Sequence, residues 1–164
     1  MNGLVVVHAC KMYTNPKEMG LKQAEISSKL FEKIGERVRE DLDCGKIVYA
    51  LDDTFNRTVL LHPAIAKSTE HHNFLYIDNN NISTESQFLL TKEQIILDNI
   101  NQIDICGVAR DCCVQDVYDL FRGRASDEPH HSWRNYAHEL HWSDEKFNKI
   151  FRMPLNARIL EDLC

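Results

Sequence analysis

The chain has 164 residues, enough for one domain with a real core and too few for two, so a single domain is expected. Hydrophobic residues make up 43% and charged residues 27%, a balance that excludes a disordered or collagen-like chain. The net charge of -6 and the lack of a Lys/Arg cluster argue against nucleic acid as a partner, because phosphate binding needs a basic face.

The opening stretch "MNGLVVVHAC" is too short to span a membrane and has no basic region ahead of it. Neither an anchor nor a signal peptide is expected, and the protein is expected in the cytoplasm. Within this stretch Leu4 to Val7 is continuously apolar, which predicts a strand buried on both faces. A helix is predicted from about Lys17 to Leu42, where Ile26, Leu30, Ile34, Val38 and Leu42 recur every four residues and Phe31 widens the stripe. Cys44-Gly45 reads as its stop. Ile47 to Leu51 is a second buried strand, ending at Asp52-Asp53.

The segment Thr54 to Asn73 has no clear period and reads as loop with one short helix. Phe74 to Ile77 is a third strand. Thr91 is read as the cap of a helix through about Ile100. Ile103 to Val108 is a fourth strand, and Cys112 to Arg122 a helix with Val114, Val117, Tyr118 and Phe121 inward and Gly123 as terminator. After a polar, His-rich loop, Tyr136 to Trp142 reads as a fifth strand. Ser143 then caps a helix carrying Phe147, Ile150 and Phe151, and Ala157 to Leu160 closes as a sixth strand.

This alternation predicts a three-layer α/β/α fold with an open, mostly parallel sheet of about six strands. Ligands of such sheets bind beyond the carboxyl ends of the strands. That rule selects His8 after the first strand, Asp52 and Asp53 after the second, Asp78 after the third, and Cys112 or Cys113 after the fourth.

The six cysteines form no C-x-x-C pair and no disulfide framework, so free thiols are expected, with Cys10, Cys44 and Cys106 as small buried hydrophobes. The pair Cys112-Cys113 is different. A thiol at a helix N-terminus meets unsatisfied N–H groups that lower its pKa, and the same groups can bind an oxyanion. An imidazole can take its proton and a carboxylate can orient that imidazole.

The stretch "IDICGVARDCCVQDVYDLF" resembles the nucleophile motif of the isochorismatase-like cysteine hydrolases, the superfamily that includes nicotinamidases, in which a strand runs into G-V-x-x-D-x-C-V and a helix. The resemblance implies that Cys113 is the nucleophile and Cys112 a filler, with a cis peptide between Val108 and Ala109. It also implies that the N–H groups of Ala109 and Cys113 receive the oxyanion. "LVVVHACKMY" resembles the family's first strand, with Tyr13 in the place of the pocket aromatic.

Two departures accompany the match. His8 stands where the family has an aspartate base, and Asp78 where it has a lysine, so the resemblance implies a rearranged set of Cys113, His8 and Asp78. It implies hydrolysis of a C–N bond of a small amide or related metabolite through a thioester, without an organic cofactor, in a homo-oligomer. Tyr13, Asp53, Phe55 and Arg110 are the candidate substrate contacts, with Trp133 and Tyr136 read as cover for the pocket or a subunit contact, or as core or rim. The Asp-x-His metal pattern of some nicotinamidases is broken here, since Asp52 is followed two on by Thr54 and Asp53 by Phe55. His62, His71, His72, His138 and His141 match no standard zinc spacing, and no metal is expected. Asp111 reads as a helix cap, and Glu32 to Arg39 as a solvated face. The rival reading is a ligand-binding or interaction protein on the same scaffold; redox sensing through the vicinal cysteines ranks below both.

Overall fold

A computed structural model describes residues 1–53, 61–127 and 132–164. Five strands form one parallel sheet in the order β3-β2-β1-β4-β5: β1 (Asn2–Val7), β2 (Ile47–Leu51), β3 (Phe74–Ile77), β4 (Gln102–Gly107) and β5 (Ala157–Ile159). The runs in β1, β2 and β4 become strands because both faces are covered, whereas in the edge strand β3 Tyr76 is exposed. Val5, Val7, Tyr49, Leu51, Ile103 and Ile105 point into one core, while Leu4, Val6, Val48, Ala50 and Cys106 point into the other.

Helix α1 (Pro16–Met19) is short, and α2 (Leu21–Asp43) follows it after Gly20. The single helix expected from Lys17 is therefore broken, because Gly20 adopts φ 81. Phe31, Ile34, Val38 and Leu42 of α2 bury fully or nearly so against the second core, together with α3 (Pro63–Ala66). Each such side chain contributes about 1.5–3 kcal/mol.

The other face carries α4 (Thr84–Leu97), α5 (Gln115–Phe121), α6 (Trp133–Glu139) and α7 (Asp144–Arg152). Helix α4 starts earlier than expected, because the Ser83 hydroxyl accepts the Ser86 N–H at 3.1 Å and caps it. Thr91 is consequently interior, its hydroxyl donating to the Gln87 carbonyl at 2.8 Å. The strand expected from Tyr136 to Trp142 is instead mostly helix. Trp133 and Ala137, four residues apart, are its buried side, a helical period rather than an alternating one. The sheet has five strands rather than about six for that reason.

Two buried ionisable side chains are accommodated differently. Asp104 in β4 accepts from Arg37 of α2 at 2.8 Å and Arg158 of β5 at 2.6 Å, which pins both to the strand. Lys92 of α4 is 0% exposed, and its amine donates to the carbonyls of Leu120 at 2.7 Å and Phe151 at 3.0 Å, near the ends of α5 and α7. No helix among the described residues is long and apolar enough to cross a membrane.

Register decides where the site lies. Val7 is level with Leu51 and with Gly107, and Leu51 is level with Ile77, so four strands end on one line. The residues that follow them, His8, Asp52, Asp78 and Val108, emerge side by side.

Candidate active site

The chain winds from β1 outward to β3, then restarts on the other side of β1 with β4 and β5. The strand order therefore reverses between β1 and β4, and the crevice at that point is where open α/β sheets take ligands. Both strands leave the sheet through unusual backbone. His8 has φ 51 and Ala109 φ 62, left-handed values that non-glycine residues rarely adopt. Gly107 has φ 132, and a Cβ there would lie 2.1 Å from the Val7 carbonyl oxygen, so only glycine fits.

His8 is 2% exposed, its ring stacked on Phe88 at 5.7 Å and its Nε2 3.0 Å from Oε1 of Gln87. Burial holds its pKa below the ordinary imidazole value, opposed by the Gln87 hydrogen bond and the charge of Asp53. Gln87 itself is 0% exposed and donates to the carbonyls of Asp52 at 2.9 Å and Ile77 at 2.7 Å. Sequence reading missed Gln87; a polar residue beside Phe88-Leu89-Leu90 was the only signal available.

Cys113 lies in a π-helical turn, Arg110–Val114, closed by Val114 N–H donating to the Ala109 carbonyl at 3.1 Å and leading into α5. Its side chain is half-buried and packs against the first core. Burial pushes the thiol up to about 12, and the neighbouring Cys112, Asp116 and Asp53 push the same way. The lowering expected from a helix N-terminus is thus reversed: the helix that follows is short, and desolvation beside acidic groups outweighs its dipole. No peptide bond among the described residues is cis, so the cis bond expected between Val108 and Ala109 is absent. The chain makes that turn through the left-handed Ala109 instead.

Asp53 and Tyr13 join this end of the sheet. The Asp53 charge acts on His8, Cys10, Tyr13 and Cys113, and its Oδ1 accepts from Nδ2 of Asn79 at 3.4 Å. The Tyr13 hydroxyl is pushed up to about 12 by burial, then by Asp53, Cys10, Cys113 and Cys112. Buried Asp52 accepts from the Tyr76 hydroxyl and is pushed up to about 7, chiefly by desolvation.

Asp78 does not join them. It is exposed, its Oδ1 accepting from Asn80 N–H at 3.2 Å, because the chain turns outward as soon as β3 ends. The place beside the His8 ring that it was expected to fill belongs to Gln87. Arg110 also turns away, gripping Glu161 through two bonds of 2.7 Å and Gln115 at 2.8 Å. Phe55 lies outside the described residues. No hydrogen bond joins Cys113 to His8 among the described residues. Cys10 and Cys106 are buried as free thiols, whereas Cys44, expected to be buried, is exposed at the end of α2.

No family model matches the chain, and no curated protein matches it in sequence. Solved structures do match it in shape. A nicotinamidase/pyrazinamidase from Bacillus subtilis is 14% identical, with 96% of this chain and 99% of that one covered and a TM-score of 0.60. An isochorismatase family protein is 12% identical, with 96% and 97% covered and a TM-score of 0.56. The fold is isochorismatase-like.

A further structure of this isochorismatase-like fold, a pyrazinamidase of Pyrococcus horikoshii in complex with zinc, is 14% identical, with 97% and 98% covered and a TM-score of 0.54. The described residues assemble no set for such an ion. Among the described residues no three His, Cys, Asp or Glu side chains converge. The His62 Nδ1 accepts the Ala64 N–H as a helix cap, and His71 stacks on His72 at 4.6 Å. Along the Cys112 side of the turn this isochorismatase-like scaffold opens a cavity of about 390 Å³, walled by Glu85, Asp111, Asp116, Trp133 and Tyr136.

Proposed function

We propose that the protein is a cysteine hydrolase that cleaves the C–N bond of a small amide, with Cys113 as nucleophile and His8 as proton acceptor. One observation carries the reading. His8 and the Cys113 turn leave adjacent strands at the reversal point through left-handed backbone, and the Asp53 charge acts on both. The matched nicotinamidase and pyrazinamidase structures make nicotinamide and pyrazinamide the first substrates to try.

The chemistry balances with these groups. The Cys113 Sγ–H proton passes to His8 as sulfur bonds to the carbonyl carbon, and the oxyanion meets the N–H groups of Ala109 and Cys113. His8 then protonates the leaving nitrogen as the C–N bond breaks, leaving a thioester. Water adds to the thioester while His8 takes its proton; the acid departs and the thiol is restored. General base help of this kind supplies about 10²–10⁴ in rate. A thiol held near 12 needs it, since a resting thiolate is scarce at neutral pH. Asp53 favours the imidazolium formed in the first step; Asp78 and Arg110 take no part.

A second reading is favoured by the raised Cys113 pKa and the lack of a Cys113–His8 hydrogen bond: a small-molecule-binding protein that does not hydrolyse its ligand. Ammonia release from nicotinamide, pyrazinamide and a panel of small amides separates the two. The hydrolase reading expects turnover that falls at least about 100-fold in Cys113→Ala and in His8→Ala, with an acyl adduct on Cys113 in the intact mass. Binding without turnover, or turnover that survives Cys113→Ala, sinks it. The reading takes the cytoplasm as its setting and a homo-oligomer as its assembly, which light scattering on the purified chain tests.

A further inference from the structure

The buried amide of Gln87 has no part in the steps above, yet it touches the ends of three strands. Its Nε2 lies 2.9 Å from the carbonyl of Asp52, which follows β2, and 2.7 Å from that of Ile77, which ends β3. Carbonyl oxygens only accept, so the group facing them is the NH₂, and both its hydrogens are used. The atom that faces His8 is therefore Oε1, which can only accept.

We infer that Gln87 is a positioning residue that holds His8 as the Nε2–H tautomer, leaving Nδ1 as its basic nitrogen. The Nε2···Oε1 contact of 3.0 Å requires a hydrogen, and His8 must supply it. A neutral imidazole carries one ring hydrogen, so Nδ1 is left with its lone pair. Burial lowers the pKa of His8, which keeps the ring neutral near pH 7. Phe88 stacks on the ring at 5.7 Å, and the His8 backbone is itself tied, its N–H donating to the Leu51 carbonyl at 2.9 Å. Backbone, ring face and ring nitrogen are all constrained.

The consequence for catalysis rests on the hydrolase reading. A proton arriving from Cys113 lands on Nδ1, and the Nε2–H···Oε1 bond persists unchanged in the imidazolium, so no partner has to reorganise. A neutral amide orients the ring as a carboxylate would, but adds less to its basicity. Gln87 thus fills the orienting place beside the ring that the exposed Asp78 does not reach.

The test uses the intact protein labelled with ¹⁵N-histidine, with His8→Asn identifying the resonances of His8. Long-range ¹H–¹⁵N correlation of the parent near neutral pH is expected to show Nε2 protonated and Nδ1 unprotonated. An Nδ1–H pattern overturns the inference, and this measurement requires no variant at Gln87. In Gln87→Glu, a carboxylate beside the ring is expected to raise the His8 pKa by about one unit or more; an unmoved titration overturns the inference too. The amide assay is read separately. A fixed Nε2–H tautomer in a protein without turnover keeps the inference and removes the hydrolase reading, whereas an Nδ1–H tautomer in an active enzyme does the reverse.

Discussion

Alkylation of Cys113 by iodoacetamide, followed as a function of pH, tests the electrostatics of the site directly. With the thiol held at about 12, it is thiolate in only 1 part in about 30,000 near pH 7.5. An ordinary thiol of pKa about 8.5 is thiolate in roughly 1 part in 10 there. The deficit is about 3,000-fold. A more basic thiolate is also a better nucleophile, and a Brønsted slope of about 0.4–0.5 over the 3.5-unit gap returns about 25- to 55-fold. Cys113 should therefore label roughly 50- to 100-fold more slowly than a free thiol, and its rate should climb about tenfold per pH unit to pH 10 without a plateau. A Cys112→Ser background keeps the exposed neighbour from masking the signal in peptide mass spectrometry. Asp53→Asn removes one of the charges that oppose the thiolate, so it should speed labelling. A plateau at or below about pH 9, or slower labelling in Asp53→Asn, would refute the argument that burial and acidic neighbours govern this thiol.

The same physics gives two predictions about stability. Gly107→Ala should destabilise by at least about 2 kcal/mol in urea unfolding, because its Cβ would meet the Val7 carbonyl at 2.1 Å. Gly20→Ala, also at positive φ but with nothing within 4 Å, should cost less, and equal costs would show that the clash is not what matters. Lys92, pushed down to about 7 by burial, titrates near 10.4 when unfolded. Between those values the unfolded chain binds more protons, so stability rises with pH across that window and is lost as pH falls toward 7. Lys92→Met should abolish this rise, which amounts to about 2 kcal/mol between pH 7 and 9. Parallel pH profiles of parent and variant would contradict it.

Where reading from the sequence succeeded, the signal was local. The four-residue spacing of Ile34, Val38 and Leu42 marks the stripe that α2 buries, whereas Ile26, read into the same stripe, is exposed; Ser143 caps α7 as expected, accepting the Lys146 N–H at 3.1 Å. Where it failed, a short segment carried two possible patterns. Tyr136 to Trp142 has the aromatic content of a strand, and the buried Trp133–Ala137 pair shows the helix only once a core exists to bury it. Thr91 is as good a cap in isolation as Ser83; what makes it interior is α4 beginning two turns earlier.

The sequence by itself determined the alternating architecture and the strand ends that bear His8, Asp53 and the vicinal cysteines. These follow from periodicity and backbone sterics, which act over a few residues. Only the tertiary structure decided which side chains meet there. Gln87, 79 positions along the chain from His8, reaches its ring because α4 packs back over the sheet, while Asp78, adjacent in expectation, faces solvent. The pKa of Cys113 was decided the same way. A helix terminus and the neighbours Cys112 and Asp116 act along the sequence, but the largest effect at this thiol is desolvation, which comes from whatever the fold packs alongside.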